Sequence, residues 1–574
     1  MTETAREGLA QAAARPGAAA RDHAVGAALG AVYVAWLLGT ARGLGFARDE
    51  GFYFQSATTY AAWFKTLGEL GLGAFSRGVV DAHWSMNHEH PSLMKSLFAL
   101  SWMLLHEKFS VFGDASTAFR FPGMVMGGLA LWVTYVFGAR VFSRTAGFVA
   151  ALLLALMPHL FYNAHLACFD VPIMTMWLLS VYVFWRADTE GGLGWAAAFA
   201  LVYGLTLETK HNAWILPAVF VPCVVFRYVR AALGGRAKAW AEPQHLLLMT
   251  AVSPLVFVSL WPWLWFDTAA RISRYVRFHV HHDYYNIEFL GRNYFGPPSP
   301  PHYAPVLIAA SVPTVTLLLF AVGAQGRGKE SWVRLRSFMK SRAERAQEPA
   351  PDRRAGPDAA TDLLLALAFA APLAVFFLPR TPIFGGTKHW LPAYPFLALF
   401  AGHGFERAAT AMLSLLERAR ASAAARRAAP YLLGAAAVAG PLAVTVHSHP
   451  FGLSTYVPLV GGTQGGADLG LNRQFWGYTT ESVAPWLAAK APPNATVFIH
   501  DTAWPSWERL IDERRLRPDL RGVGTPSESA FALVQHELHM NEVDYSIWVD
   551  FGGAAPAHVL THDGVPIVSV YRRR

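Results

Sequence analysis

Two adjacent carboxylates, Asp49 and Glu50, stand in the stretch Arg48-Asp49-Glu50-Gly51-Phe52-Tyr53, directly after the first apolar segment of the chain. A carboxylate at a membrane surface can take a proton from a hydroxyl, and a second beside it can raise its proton affinity by like-charge repulsion. Alone, the pair could equally mark the water interface. It has company, however. Asp170 precedes Pro172 at the head of a later apolar run, Glu208-Thr209-Lys210-His211-Asn212 joins two more, and Lys388-His389-Trp390 opens another. Between the first two long runs lie His83, His88, Glu89, His90, Pro91 and Lys95. Ionisable groups at membrane depth are costly and default to functional candidates. A His/Glu cluster also invites a metal. His88-Glu89-His90 are consecutive, though, and point different ways on a helix, unlike a His-Glu-x-x-His pair. No resident cofactor is assigned, and a divalent metal on Glu89, His88 and His282 stays an open alternative.

The elements that must position these groups are membrane helices. Of 574 residues, 53% are hydrophobic and 15% charged, against about 25% charged in a soluble domain. A span needs about 20 apolar residues. Eleven are expected, near residues 24–44, 118–139, 146–162, 171–187, 193–208, 212–228, 245–264, 304–324, 362–379, 389–406 and 430–447. Residues 1–23 read as a polar tail, and Val25–Thr40 as an uncleaved first span. Cys168 and Cys223 lie inside apolar segments and suit neither a disulfide framework nor a metal site. The net charge of +9 fits basic cytoplasmic loops rather than a nucleic-acid partner. Those loops are 227–238 (Arg227, Arg230, Arg236, Lys238), 325–361 (including Lys340, Arg342, Arg345, Arg353 and Arg354) and 407–427.

Counting spans outward from the basic loops puts the N-terminus inside and the C-terminal part outside. Leu93–Leu105 is too short to cross, so it is expected on the outer surface, within one large external loop over 45–117. A second external loop covers 265–303. Residues 448–574 read as a small external α/β domain. Its expected strands are 495–500, 545–549 and 565–571, with a helix over 507–516. The fold class is therefore mainly α and polytopic, with an external α/β appendix. No internal repeat and no Gly-rich phosphate loop is present.

Several short patterns occur in a fixed order. The acidic pair is followed by His90-Pro91, Arg120-Phe121-Pro122, Pro158 with Asp170-x-Pro172, and Thr209-Lys210-x-Asn212. This order resembles membrane glycosyltransferases of the GT-C fold, in the protein O-mannosyltransferase-like subgroup that includes the bacterial aminoarabinose transferases of lipid A. The resemblance covers about residues 24–410. His449-Pro450-Phe451-x-Leu453-Ser454-x-Tyr456 looks like the segment after the last span in bacterial members. The resemblance implies a sugar donor on a polyprenyl phosphate, a lipid, glycan or protein acceptor, inversion at the anomeric carbon, and a bacterial cytoplasmic membrane. It implies Asp49 as base; Glu50 beside it orients it, raises its pKa by like-charge proximity or faces elsewhere. His90, Lys210, Arg292 and Lys388, with His389 behind them, become candidate phosphate contacts, and Asp170, Glu89 and His282 sugar or acceptor contacts. The sequence departs from the aminoarabinose transferases at His90, where they carry Lys before the Pro. Two rival readings remain. A secondary transporter would place charges at the midplane within inverted repeats, and a non-catalytic envelope assembly protein would not need the acidic pair.

Overall fold

The computed structural model describes residues 16–233, 243–339, 358–383, 385–537 and 541–574. Each of the eleven expected spans falls on helix. Ala19–Gly43, Ala115–Val141, His211–Arg230, Ala359–Phe377 and Ala423–Ser448 are long and apolar enough to cross a membrane. Two further pairs qualify as bent units: Arg144–Ala155 with Pro158–Ala164, at 74°, and Tyr303–Ser311 with Thr314–Arg336, at 118°. Pro158 and Pro313 stand at these breaks, where a missing N–H and a ring clash end the preceding helix. The helices Asp170–Glu190 and Tyr394–Arg418 lie inside the bundle, with Trp177 and Tyr394 fully buried. Small residues bring helix backbones together, as is usual in membranes. A Cβ on Gly404 would lie 1.9 Å from the Leu319 carbonyl oxygen, and one on Gly323 as close to that of Phe400.

The first helix begins at Pro16, earlier than the expected end of the tail. Pro suits the first helical position, and the Ala run behind it favours helix. The basic residues Arg236, Lys238, Lys340, Arg342, Arg345, Arg353 and Arg354 lie outside the described residues.

Segment 45–117 is packed structure built on a long helix, Arg48–Leu70. Its aromatic interior includes Trp63 against Trp84, with ring centroids 5.2 Å apart. Leu93–Leu105 becomes the helix Leu93–Ser101 and a π-helical turn, Trp102–Lys108. In segment 265–303, the helix Thr268–Val280 leads to an antiparallel hairpin of β1 (Ile287–Phe289) and β2 (Arg292–Tyr294).

The C-terminal sheet has the order β4-β3-β5-β7-β6, from β3 (Thr496–Ile499), β4 (Arg521–Val523), β5 (Phe531–Gln535), β6 (His558–His562) and β7 (Val565–Arg572). β3 runs parallel to β4 and β5, while β7 is antiparallel to β5 and β6. The expected strand at 545–549 is instead the helix Asn541–Phe551. Ile547 and Phe551 are buried beside Phe498, Ala532 and Val534, with Val543 packed against them. That spacing of four is a helical face, and it overrides the β-propensity of Tyr545, Ile547 and Val549. The helix expected at 507–516 runs over Trp504–Asp512. It seats on the acidic stretch: the Ser506 hydroxyl donates to the Ala47 carbonyl at 3.1 Å, and the Arg48 N–H donates to the Trp476 carbonyl at 2.9 Å.

Candidate active site

The Arg48–Leu70 helix starts at the acidic pair, where unpaired N–H groups and the helix dipole favour anions. Successive residues on a helix diverge by about 100°, so the two carboxylates face different surroundings. Glu50 turns inward and is wholly buried. It accepts from Arg120 Nε and Nη2, each at 2.8 Å, from the Ala47 N–H at 3.1 Å and from the Ala167 N–H at 2.9 Å. Arg120 is equally buried and also donates to the carbonyls of Ala41, Leu44 and Gly45. Of the roles the sequence left open for Glu50, the structure matches the last: it faces away from Asp49 rather than tuning it. Its charge is spent on Arg120, and it holds the chain entering the helix.

Asp49 faces a cavity of about 740 Å³. Lys388 Nζ donates to Asp49 Oδ2 at 3.0 Å and lies 4.0 Å from the ring centre of Trp476. Lys388 reaches this point because Gly385 and Gly386 take positive φ, at 76° and 62°, and pack against Trp476 and Phe475. Burial opposes charge on Asp49, but Lys388, Arg48 and Lys210 outweigh it and hold the carboxyl below its usual range. Across the cavity, Lys210 Nζ donates to Asp170 Oδ1 at 2.7 Å. Arg48 Nη1 donates to Asp501 Oδ1 at 3.0 Å, which ties this wall residue to the C-terminal domain.

Glu89, His90, His282 and His389 also line the cavity. Burial, reinforced by Lys210 and other cationic neighbours, pushes the His90 imidazole well below its ordinary value. This disfavours the charged form at the position where the aminoarabinose transferases carry Lys, and leaves His90 as a hydrogen-bonding group. His279, pushed down to about 4 by burial, stacks on His211 at 3.9 Å and meets the Glu89 carbonyl through Nε2 at 2.8 Å. Behind the loop, Lys95 Nζ donates to the carbonyls of Asn87 at 2.6 Å and His90 at 2.9 Å. Burial pulls its pKa down to about 7.

Two expectations fail. Arg292 is exposed in β2 and is not part of the cavity wall. The hairpin tip is tied elsewhere, the Gly291 N–H donating to the Gly470 carbonyl at 2.9 Å. His88 also leaves the cavity: it stacks on Trp263 at 4.5 Å, and its Nδ1 meets the Ser85 carbonyl at 2.8 Å. Among the described residues, Glu89, His88 and His282 do not gather as a metal-binding group.

Sequence reasoning missed Arg48 as a wall residue, although it stands in the stretch first singled out. It also missed Arg380, His279 and Trp476. Arg380 sits in Pro379-Arg380-Thr381-Pro382, exposed at the rim and ion-paired with no carboxylate among the described residues. Trp476 carries no local signal. One flank of the cavity is apolar, formed by Pro372, Val375, Phe376 and Leu378 with Trp214 and Ile215 opposite. The arrangement thus offers carboxylates, among them Asp49 held by a single ammonium, together with several cations and apolar side chains.

Among curated proteins none matches the chain in sequence. Among solved structures, the chain is similar to ArnT from Cupriavidus metallidurans bound to undecaprenyl phosphate, with 14% identity and a TM-score of 0.46 over 94% of this chain and 97% of that one. It is also similar to the Archaeoglobus fulgidus oligosaccharyltransferase in its apo form, with 11% identity and a TM-score of 0.49 over 93% and 72%. The archaeal oligosaccharyltransferase AglB from the same organism, in complex with an inhibitory peptide and a dolichol-phosphate, gives 12% identity and a TM-score of 0.48 over 93% and 71%. Residues 92–263, which include Lys95, Arg120, Asp170 and Lys210, match the family model of dolichyl-phosphate-mannose-protein mannosyltransferase, and this match bears out the resemblance to GT-C membrane glycosyltransferases.

Proposed function

We propose that this protein moves a sugar from a polyprenyl phosphate to an acceptor hydroxyl, with Asp49 as the general base. The observation that carries the reading is the contact between Lys388 and Asp49 on the wall of a cavity lined by the cations Arg48, Lys210 and Arg380 and by the apolar side chains Pro372, Val375, Phe376 and Leu378. A donor phosphate entering the cavity competes with Asp49 for the Lys388 ammonium. Once Lys388 turns to the phosphate, Asp49 loses the strongest of the charges that hold its pKa down, and its basicity rises. The acceptor O–H proton then moves to Asp49 while the acceptor oxygen bonds to the anomeric carbon. The bond from that carbon to the phosphate oxygen breaks, and polyprenyl phosphate leaves as an anion. Attack opposite the leaving group inverts the anomeric centre.

A phosphate leaving group needs cations rather than a strong acid. Lys388, Lys210 and Arg380 supply them, and Arg48 joins if the phosphate lies near Asp49. His90 contributes a hydrogen bond. Glu89 and His282 are left for sugar or acceptor hydroxyls, and Asp170 holds Lys210 in place. The apolar flank suits the isoprenoid chain, since ligand sites are mostly apolar with a few placed polar groups.

The membrane side follows from the basic residues at the opposite ends of the helices, where Arg227 pairs with Asp358 and Arg407 with Glu330. By the positive-inside rule that end faces the cytoplasm, with the N-terminus. The cavity and the C-terminal sheet then face outward, in a bacterial cytoplasmic membrane.

The test is transfer from a radiolabelled polyprenyl-phosphate sugar in proteoliposomes. Asp49→Asn is expected to lose about 10²–10⁴-fold, the usual contribution of a positioned base, while still binding polyprenyl phosphate. Wild-type transfer by that variant would end the proposal. Mass analysis of glycolipids and glycoproteins from a strain lacking the gene identifies the sugar and the acceptor.

A further inference from the structure

A second cluster of ligating side chains lies outside the cavity, where the C-terminal sheet meets the last long helix. β6 and β7 are joined by a two-residue turn, Asp563-Gly564, with φ of 52° and 78°. Both central residues at positive φ is the type I′ signature, for which Asp-Gly is a preferred pair. The turn presents His562 and Asp563 to His447, which is in the last turn of the helix Ala423–Ser448. His447 Nε2 lies 2.7 Å from Asp563 Oδ1, and His562 Nε2 lies 3.7 Å from Asp563 Oδ2. All three ligand atoms fall within 4.8 Å of one another.

We propose that His447, His562 and Asp563 form a site for a divalent transition-metal ion of the zinc type, which fastens the C-terminal sheet to the membrane helix. Two imidazole nitrogens and one carboxylate are a donor set that suits zinc, with a fourth position left for water. Magnesium and calcium prefer all-oxygen sites. Bonds of about 2.0–2.1 Å in tetrahedral geometry put ligand atoms about 3.3 Å apart. His447 has therefore to retreat by a few tenths of an ångström, and its side chain is 62% exposed, with its ring stacked on that of His562 at 5.6 Å. Asp563 is already oriented: the Thr463 hydroxyl donates to its Oδ2 at 2.8 Å, and Gln464 Nε2 donates to its carbonyl at 2.8 Å. Such outer contacts fix metal-ligand orientation. The Thr455 hydroxyl, 2.9 Å from His562 Nε2, has to turn away for that nitrogen to ligate. None of the three residues lines the cavity, so the role is structural and independent of the proposed transfer chemistry.

The test uses the full chain, purified in detergent, stripped with EDTA and titrated with zinc or with cobalt as a spectroscopic probe. One equivalent of zinc is expected to bind at micromolar or lower concentration and to raise the thermal midpoint. Cobalt should give the visible bands of a four-coordinate site. His447→Ala, at an exposed position, and Asp563→Asn are each expected to weaken zinc binding at least tenfold and to abolish the midpoint shift, while Glu89→Gln in the cavity leaves both unchanged. The proposal is overturned if the wild-type chain binds no zinc at micromolar concentration. It is equally overturned if His447→Ala and Asp563→Asn bind as the wild type does, or if Glu89→Gln alone removes the metal.

Discussion

Neutralising the two neighbouring carboxylates one at a time is expected to give opposite phenotypes. Glu50→Gln keeps the shape but removes the charge opposite Arg120, a side chain 1% exposed. Gln can accept through only one oxygen, so at least part of the four-donor cage from Arg120, Ala47 and Ala167 is lost. Leaving one member of a buried ion pair uncompensated costs about 3–5 kcal/mol, a large share of the 5–15 kcal/mol that ordinarily separates folded from unfolded. Asp49 is 29% exposed, and the amide oxygen in Asp49→Asn still accepts from the Lys388 ammonium, itself 4% exposed, so the substitution should cost only about 1–2 kcal/mol. Thermal unfolding in detergent, followed by size-exclusion chromatography, should therefore show Glu50→Gln strongly destabilised and Asp49→Asn close to wild type. Proteoliposome transfer should show the reverse ordering per folded molecule, with Asp49→Asn inactive and the surviving Glu50→Gln active. A Glu50→Gln protein as stable as wild type, with transfer lost, would refute the division of roles between the two carboxylates.

Four further outcomes are expected. Lys210→Met should destabilise the fold by about 3–5 kcal/mol by stranding Asp170, while Lys210→Met with Asp170→Leu should recover much of that loss in the same thermal assay. Gly404→Ala should cost about 1–3 kcal/mol, because its methyl would meet the Leu319 carbonyl at 1.9 Å. Asp501 is raised to about 6 by burial against the opposing pull of Arg48. As pH climbs from about 4 to 6 the unfolded chain releases this proton first, so the native state loses stability across that window, and Asp501→Asn should flatten the thermal midpoint there. Trp476→Ala removes the ring beneath the Lys388 ammonium, an interaction of about 0.5–2 kcal/mol. It should weaken polyprenyl-phosphate binding roughly 2–30-fold, read by titration of the lipid phosphate into detergent-solubilised protein.

The bundle was legible because span length and apolar composition report directly on the membrane. All eleven expected spans lie on helix, and the two bent ones were found as well, since a proline break leaves hydropathy unchanged, although the second runs on to Arg336, beyond its expected end at 324. The C-terminal domain was harder. Asn541–Phe551 carries β-branched and aromatic residues for a helical face, and only the spacing of Val543, Ile547 and Phe551 reveals it. Within the site, the one-dimensional order of motifs brought Asp49, Asp170, Lys210 and Lys388 to one cavity. It named Asp49 as the base but left the role of Glu50 open, because adjacency in sequence says nothing about which face of a helix end is buried. Arg292 was chosen for its charge and loop position, but a hairpin tip anchored on Gly470 decides where it points. Trp476 and Asp501 reach the site from more than 400 residues beyond Asp49, a separation no local pattern bridges.

Those two distant residues change what the C-terminal domain is for. Arg48 is held by Asp501 at 3.0 Å and by the Trp476 carbonyl at 2.9 Å, Trp476 in turn lies beneath Lys388, and Lys388 holds Asp49. The contacts link Asp49, Lys388 and Arg48 to the C-terminal domain, so the domain shapes the electrostatics of the cavity without lining it. On the proposed chemistry these contacts have a further consequence. In the empty cavity, Lys388 occupies an Asp49 oxygen and keeps the carboxylate weakly basic, so a water molecule that wanders in meets a poor proton acceptor. Only a phosphate strong enough to draw Lys388 away restores basicity, and it does so when the donor is in place to react. The base is therefore gated by the charge of the substrate it serves, which disfavours hydrolysis relative to transfer without requiring a lid.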